Sequence, residues 1–291
     1  MKERFITLRL TAQRRLMLGV INNIIEDYRQ QGYRLTLRQL YYQLVTKNII
    51  ENKERSYKNL GSLVSDGRLM GVIDWDAIED RVRVPKACVD FSDIRDLVDW
   101  ALRVFRLRRW DGQSKYVELW VEKDALAGVL WPIAARFHVT LMVNRGYSSQ
   151  SAMYDASKRF IRASCSGKEC HLIYLGDHDP SGEDMVRDIG DRLEMLRATV
   201  DVKKVALTMD QVRQYNPPPN PAKMSDSRAG KYVAEHGEHS WEVDALPPQV
   251  LNELITSELA ALVDQSMVDE IIAREEIAKN KLRNAAKRIK A

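Results

Sequence analysis

The sequence of 291 residues predicts an α/β protein, with a mostly helical N-terminal part followed by a parallel sheet flanked by helices. Three apolar runs, at residues 117–121, 139–143 and 172–175, are each followed by a turn and then by residues at helical spacing. Runs without polar alternation mark strands covered on both faces, and successive strand-turn-helix units predict one parallel sheet. Ahead of them, residues 16–65 carry helical periodicity alone.

The stretch that organises the rest is HLIYLGDHDPSGEDM, residues 171–185. Its apolar run ends at Gly176, and Asp177 and Asp179 follow at the carboxyl end of the strand, where open α/β sheets place their ligands. Pro180 cannot extend the strand. Ser181 is a suitable N-cap with Asp184 three residues on, so the spacing predicts a helix from about Gly182. The strand at 117–121 runs into Glu122 in WVEKDAL, which brings a third acid to the same sheet edge. Carboxylates this close repel one another unless a cation or a basic neighbour lies between them. A hard divalent ion is one such cation, and it suits phosphate chemistry; loop acids at a helix start also serve simply as caps.

A glutamate after the first strand and Asp-x-Asp after the third is the pattern of the Toprim domain, which residues 115–263 resemble. The form DxDPxG, with NRGYSS after the second strand, is most similar to the A subunit of type IIB DNA topoisomerases and the related meiotic double-strand-break proteins. The resemblance implies that Glu122, Asp177 and Asp179 hold Mg²⁺, or Mn²⁺, and that the chain acts on double-stranded DNA.

In the N-terminal part, Leu16, Met17, Val20, Ile21, Ile24, Ile25 and Tyr28 define one helix face, ended by Gly32. A second helix fits residues 37–46 with Thr36 as its cap. A third runs from about Glu54 to Ser65, with Leu60, Leu63 and Val64 inward and Arg55, Lys58 and Asn59 outward. Two β-like runs around glycines follow in DGRLMGVIDWDAIEDRVRVP. Three helices and a small ribbon make the plan of a winged helix, which reads duplex DNA. Twelve Lys or Arg against five acids through residue 60 exceed the net charge of +4 for the whole chain, so the base is concentrated here. Arg38, Arg55, Lys58, Asn59 and Arg68 are the expected DNA contacts.

The second helix contains RQLYY, residues 38–42. Adjacent helical residues point about 100° apart, so one tyrosine can pack while the other faces out; two core residues are the plainer reading. RQLYY matches the RxxYY motif of the type IIB A subunits. That resemblance makes Tyr42 the nucleophile and Arg38 a partner for its phenolate or for a phosphate. It also implies a homodimer in which the tyrosine of one chain meets the acids of the other, and an ATPase B-type partner subunit, since the chain has no Walker A loop. Two alternatives stand beside tyrosine transesterification: a Toprim nuclease with water as nucleophile, and a non-catalytic DNA-binding or assembly protein.

The domain organisation expected is 1–110, winged helix, and 115–291, Toprim with C-terminal helices. Between them, Arg106, Arg108 and Arg109 either line a DNA channel or solvate a linker. NPPPNPAKMSDSRAGK reads as a loop, and WEVDALPP as a short strand and turn whose Glu242 and Asp244 rank behind the three expected metal ligands. A basic C-terminal helix over 267–290 includes Arg288 and Lys290. Three cysteines without a framework argue against disulfides. No signal peptide or membrane-length apolar run is present, so a cytoplasmic protein is expected.

Overall fold

The computed structural model describes residues 2–79, 88–144, 146, 148–222, 224, 226 and 228–287. The N-terminal part contains α1 (Ala12–Gln30), α2 (Leu37–Thr46) and α3 (Glu54–Leu69). Thr36 and Gln39 form a reciprocal capping box that sets the start of α2 where the sequence places it. Leu18, Ile21, Ile24, Leu40, Leu44, Leu60, Leu63 and Val64 close a common core. Instead of a hairpin, β1 (Leu35–Thr36), just ahead of α2, pairs in parallel with β2 (Ile78–Glu79) after α3. Residues 80–85 of the stretch expected to carry the ribbon lie outside the described residues.

After α4 (Ile94–Val104), the sheet is built from β3 (Lys115–Val121), β4 (Thr140–Val143), β5 (Glu169–Leu175) and β6 (Asp201–Ala206). All pairings are parallel, in the order β4-β3-β5-β6. One face, with Val117, Leu119, Val121, Ile173 and Leu175, packs against the core under α5 (Ala127–Phe137) and α10 (Pro248–Leu262). The other, with Trp120, Leu172 and Tyr174, is covered by α6 (Gln150–Cys165) and α7 (Pro180–Met195). Burial on both faces explains the unbroken apolar runs. Glu118, inside the first run, is fully buried yet satisfied: it accepts from Tyr116, Trp120 and both donor positions of Arg159 at 2.7–2.8 Å. Periodicity does not reveal such an acid.

The helix after the Asp-x-Asp starts at Pro180, not at about Gly182, because Asp179 rather than Ser181 is the N-cap. Where it is described, the proline-rich stretch takes part in regular structure: α8 (Met209–Tyr215) precedes it, and β7 (Asn220–Pro221) pairs antiparallel with β8 (His239–Ser240) around α9 (Ala229–His236). Asn52 donates to Pro219 O and Asn220 Oδ1 at 3.0 and 2.8 Å, so this loop is held against the N-terminal helices.

The segment before β3 is likewise anchored. Trp110 is buried, Gln113 exchanges hydrogen bonds with the Asp264 backbone, and Arg109 is buried against Glu275 of α11 (Gln265–Ala286) at 2.6 Å. Arg109 is therefore not part of a solvated linker. Arg288 and Lys290 of the expected basic C-terminus lie outside the described residues. Burial alone would raise the Glu275 pKa, but Lys279, the Leu107 N–H and Arg109 hold it at about 2. A depressed carboxylate pKa stabilises the fold above the unfolded pKa, and this contribution is lost as pH falls through the folded one. Glu275→Gln is expected to cost about 2–3 kcal/mol at neutral pH, with the gap to the unsubstituted chain closing towards pH 2, as read by denaturant titrations across the acid range.

Among the described residues, no helix is long and apolar enough to cross a membrane.

Candidate functional site

The carboxyl edge of the sheet brings the two parts of the chain together. Asp177 follows β5 directly, and its N–H donates to Glu122 Oε2 at 3.1 Å, so the first and third strand ends do meet. Gly176 has no room for a side chain here: a Cβ would lie 2.6 Å from the Tyr174 ring and 3.0 Å from Glu122 Oε2. Gly182 is equally constrained, since a Cβ would lie 2.2 Å from the Asp177 carbonyl oxygen. The glycine of DxDPxG thus lets α7 begin close against the acid-bearing turn.

Asp179 points its carboxylate into the helix start, accepting from Gly182 N at 2.6 Å and Ser181 Oγ at 2.9 Å. His178, between the two aspartates, is buried rather than turned to solvent, with Nδ1 2.7 Å from the Tyr232 hydroxyl. Its backbone forms a two-way bridge with Trp241. That bridge lays the WEVDAL segment beside Asp177, whose Oδ1 accepts from Val243 N at 2.9 Å.

Glu242 and Asp244, ranked behind the other acids on sequence, are therefore at the centre of the site. The ammonium of Lys123 lies 2.9 Å from Asp177, 3.0 Å from Glu242 and 3.2 Å from Asp244. Arg38 reaches across from α2 to pair with Glu242 and, at 2.9 Å, with Asp244. The Tyr42 hydroxyl donates to the same Glu242 oxygen at 2.5 Å. Arg38 also lies over the Tyr42 ring, 5.8 Å from its centroid. Both tyrosines of RQLYY are buried, because α2 packs on α1 and α3 on one side and on the turn at 243–245 on the other. Tyr41 donates to Asn52 Oδ1 at 2.9 Å.

Three carboxylates face two cations in a site largely closed to water, and the acids share the charge unequally. Burial pushes Asp177 up to about 7, with Glu122 and Asp244 adding to the rise and Lys123 opposing it. Asp244, wholly buried, is also raised, chiefly by desolvation. Burial works against the Glu242 carboxylate too, but Lys123, Arg38 and the Tyr42 hydroxyl hold its pKa down at about 2. Burial would lower Lys123; Asp244, Asp177 and Glu242 outweigh it and keep the ammonium charged. Tyr42 is raised by desolvation and then by Glu242 and Asp244, so the phenol keeps its proton.

The three expected magnesium ligands do not form a ligand set in this arrangement. Glu122 serves the Asp177 N–H, Asp179 caps α7, and the ammonium of Lys123 takes the place a cation would occupy beside Asp177. Among the described residues, no group of three or more His, Cys, Asp or Glu side chains is disposed to hold a metal ion. Of the expected DNA contacts, Arg55, Lys58 and Asn59 are exposed on α3, with Lys58 paired to Glu54 at 2.8 Å. Arg68 instead donates to the carbonyls of Trp75 and Ile78, securing the chain after α3. No protein-family model, curated protein or solved structure matches the chain.

Proposed function

We propose that the protein binds duplex DNA through a winged-helix N-terminal domain and cuts a strand at the edge of a Toprim-like sheet, as the A subunits of type IIB topoisomerases do. The observation that carries this proposal is the hydrogen bond from the Tyr42 hydroxyl to Glu242, in a cluster that also holds Arg38, Lys123 and Asp177. In the reaction proposed, the phenol oxygen forms a bond to phosphorus, the deoxyribose oxygen leaves, and a phosphotyrosyl link joins protein to DNA. The phenol proton is relayed by way of Glu242 to the departing deoxyribose oxygen, so that the leaving group departs as a hydroxyl, while Arg38 and Lys123 face the charge that develops on the phosphate. Tyr42 is only 4% exposed, so α2 has to part from the 242–244 segment before a phosphodiester can enter. Mg²⁺ or Mn²⁺ belongs to the proposal through the resemblance. A homodimer and an ATPase partner subunit rest on the same ground. The Tyr42–Glu242 contact lies within one chain, where the resemblance implies a tyrosine supplied by the partner.

The burial and raised pKa of Tyr42 favour a second reading, in which the same acids activate water and the tyrosine is structural. Incubation with supercoiled plasmid and Mg²⁺ or Mn²⁺ tests the proposal: cut ends should carry protein. In the same assay Asp177→Asn is expected to lower cleavage by about a hundredfold or more. Salt-sensitive DNA binding should survive, because phosphate contacts come from the basic N-terminal part. Full cleavage by Asp177→Asn would remove the acid cluster from the chemistry.

A further inference from the structure

A second concave site lies at the opposite, amino edge of the sheet. It is a cavity of about 400 Å³ walled by the chain around Arg108–Asp111, the starts of β3, β4 and β5, and the C-terminal end of α6. From Val117, the last β3 residue in its wall, to Glu122 is five residues, about 17 Å of extended chain, so it does not belong to the acid cluster. Its volume falls in the range of small-molecule sites.

The lining is strongly basic. Asp111 is the acid in the wall, against Arg108, Arg109, Arg159, Arg162 and Lys168. Some of these cations have internal partners: Arg159 is held by Glu118, and Lys168 donates to the Trp110 carbonyl. Arg108 and Arg162 are exposed and have no carboxylate partner among the described residues. Arg109 is the informative residue. It is more than nine-tenths buried, Glu275 takes one of its terminal nitrogens, and the other, Nη1, is buried without a hydrogen-bond partner. A buried guanidinium donor left unpaired is costly. Arg162, in the last turn of α6, is explained by the carbonyl end of its helix; the orphan Nη1 has no such explanation. His138 at the rim agrees with an excess of positive charge, since burial and then Arg109 and Arg106 lower its pKa.

We propose that this cavity binds a small phosphorylated ligand of about nucleotide size, whose phosphate oxygens are met by Arg108, Arg162 and the free Nη1 of Arg109. Guanidinium forks suit phosphate oxygens. A concave cavity admits a small anion, whereas a convex duplex can touch only its rim. This assignment does not depend on the strand-cutting proposal.

The test is calorimetric titration of the full chain with inorganic pyrophosphate, repeated with Arg108→Gln/Arg162→Gln, which alters exposed side chains and spares the buried Arg109–Glu275 pair. Binding is expected for the unsubstituted chain. The double variant should bind at least about tenfold more weakly, roughly the loss of one charge-assisted contact, with an unchanged circular dichroism spectrum and melting temperature. Pyrophosphate should still bind when a short DNA duplex is present in excess. No binding at millimolar pyrophosphate, or equal affinity in the double variant, would overturn the proposal. So would displacement of pyrophosphate by the duplex, with the double variant losing both ligands, which would make the cavity a DNA contact.

Discussion

Replacing Tyr42 by Phe is expected to abolish protein-linked DNA ends completely, because among the described residues no other hydroxyl bonds to Glu242. The ring remains, and with it the packing of α2. The cost to stability is the hydrogen bond to a charged acceptor, about 1–3 kcal/mol, and Glu242 keeps Arg38 and Lys123 as partners. The variant should therefore fold and bind DNA, which separates loss of chemistry from loss of structure. Denaturing electrophoresis of plasmid cut before and after protease digestion reads the result. If Tyr42→Phe cuts as well as the unsubstituted chain and leaves free ends, water is the nucleophile and the nuclease reading holds. If neither protein cuts while both bind DNA in a salt-dependent way, the binding or assembly class remains.

Lys123→Met should produce the largest stability change of any single substitution at this site. The side chain has similar length, but the charge that lies between Asp177, Glu242 and Asp244 is removed, leaving Arg38 opposite three buried or half-buried acids. Removing one partner of a buried ion cluster costs about 3–5 kcal/mol. The sign of its pH dependence follows from the acids. Asp177 and Asp244 already have raised folded pKa values, and without the ammonium they rise further. An acid whose folded pKa exceeds its unfolded one binds more protons when folded, so stability falls as pH rises between the two. The part of the Lys123→Met penalty that comes through Asp177 should accordingly be absent well below pH 7, where that acid is protonated with or without the ammonium, and grow as pH rises above about 7, the value to which Asp177 is pushed with Lys123 in place. Urea midpoints measured below and well above pH 7 read the difference directly. A penalty that is constant with pH would mean that Lys123 acts there through packing alone.

Much of the chain was legible because its information is local. The Thr36–Gln39 capping box sets the start of α2 through bonds spanning three residues, and double-sided burial writes itself into uninterrupted apolar runs such as 172–175. The meeting of Glu122 with Asp177 was equally readable, since parallel neighbours in one sheet end at one edge. Local competition decides one position differently from the expectation: the proline at 180 fits the first helical position and leaves the cap to Asp179 rather than Ser181.

Sequence alone thus determined three of the four strands of the parallel sheet, their helical cover and the acids at its carboxyl edge, since periodicity and caps act over a few residues. Tertiary structure decided what those acids face. Lys123 meets Asp244 across 121 positions, and Tyr42 meets Glu242 across 200. Such pairs depend on strand order and on the backbone bridge between His178 and Trp241, which no spacing encodes. The same holds for Glu118 and Arg109: each reads as an ordinary charge in sequence and is buried only because distant elements close over it. Ion pairing is set by where side chains end in space, and at these distances along the chain that is a property of the fold.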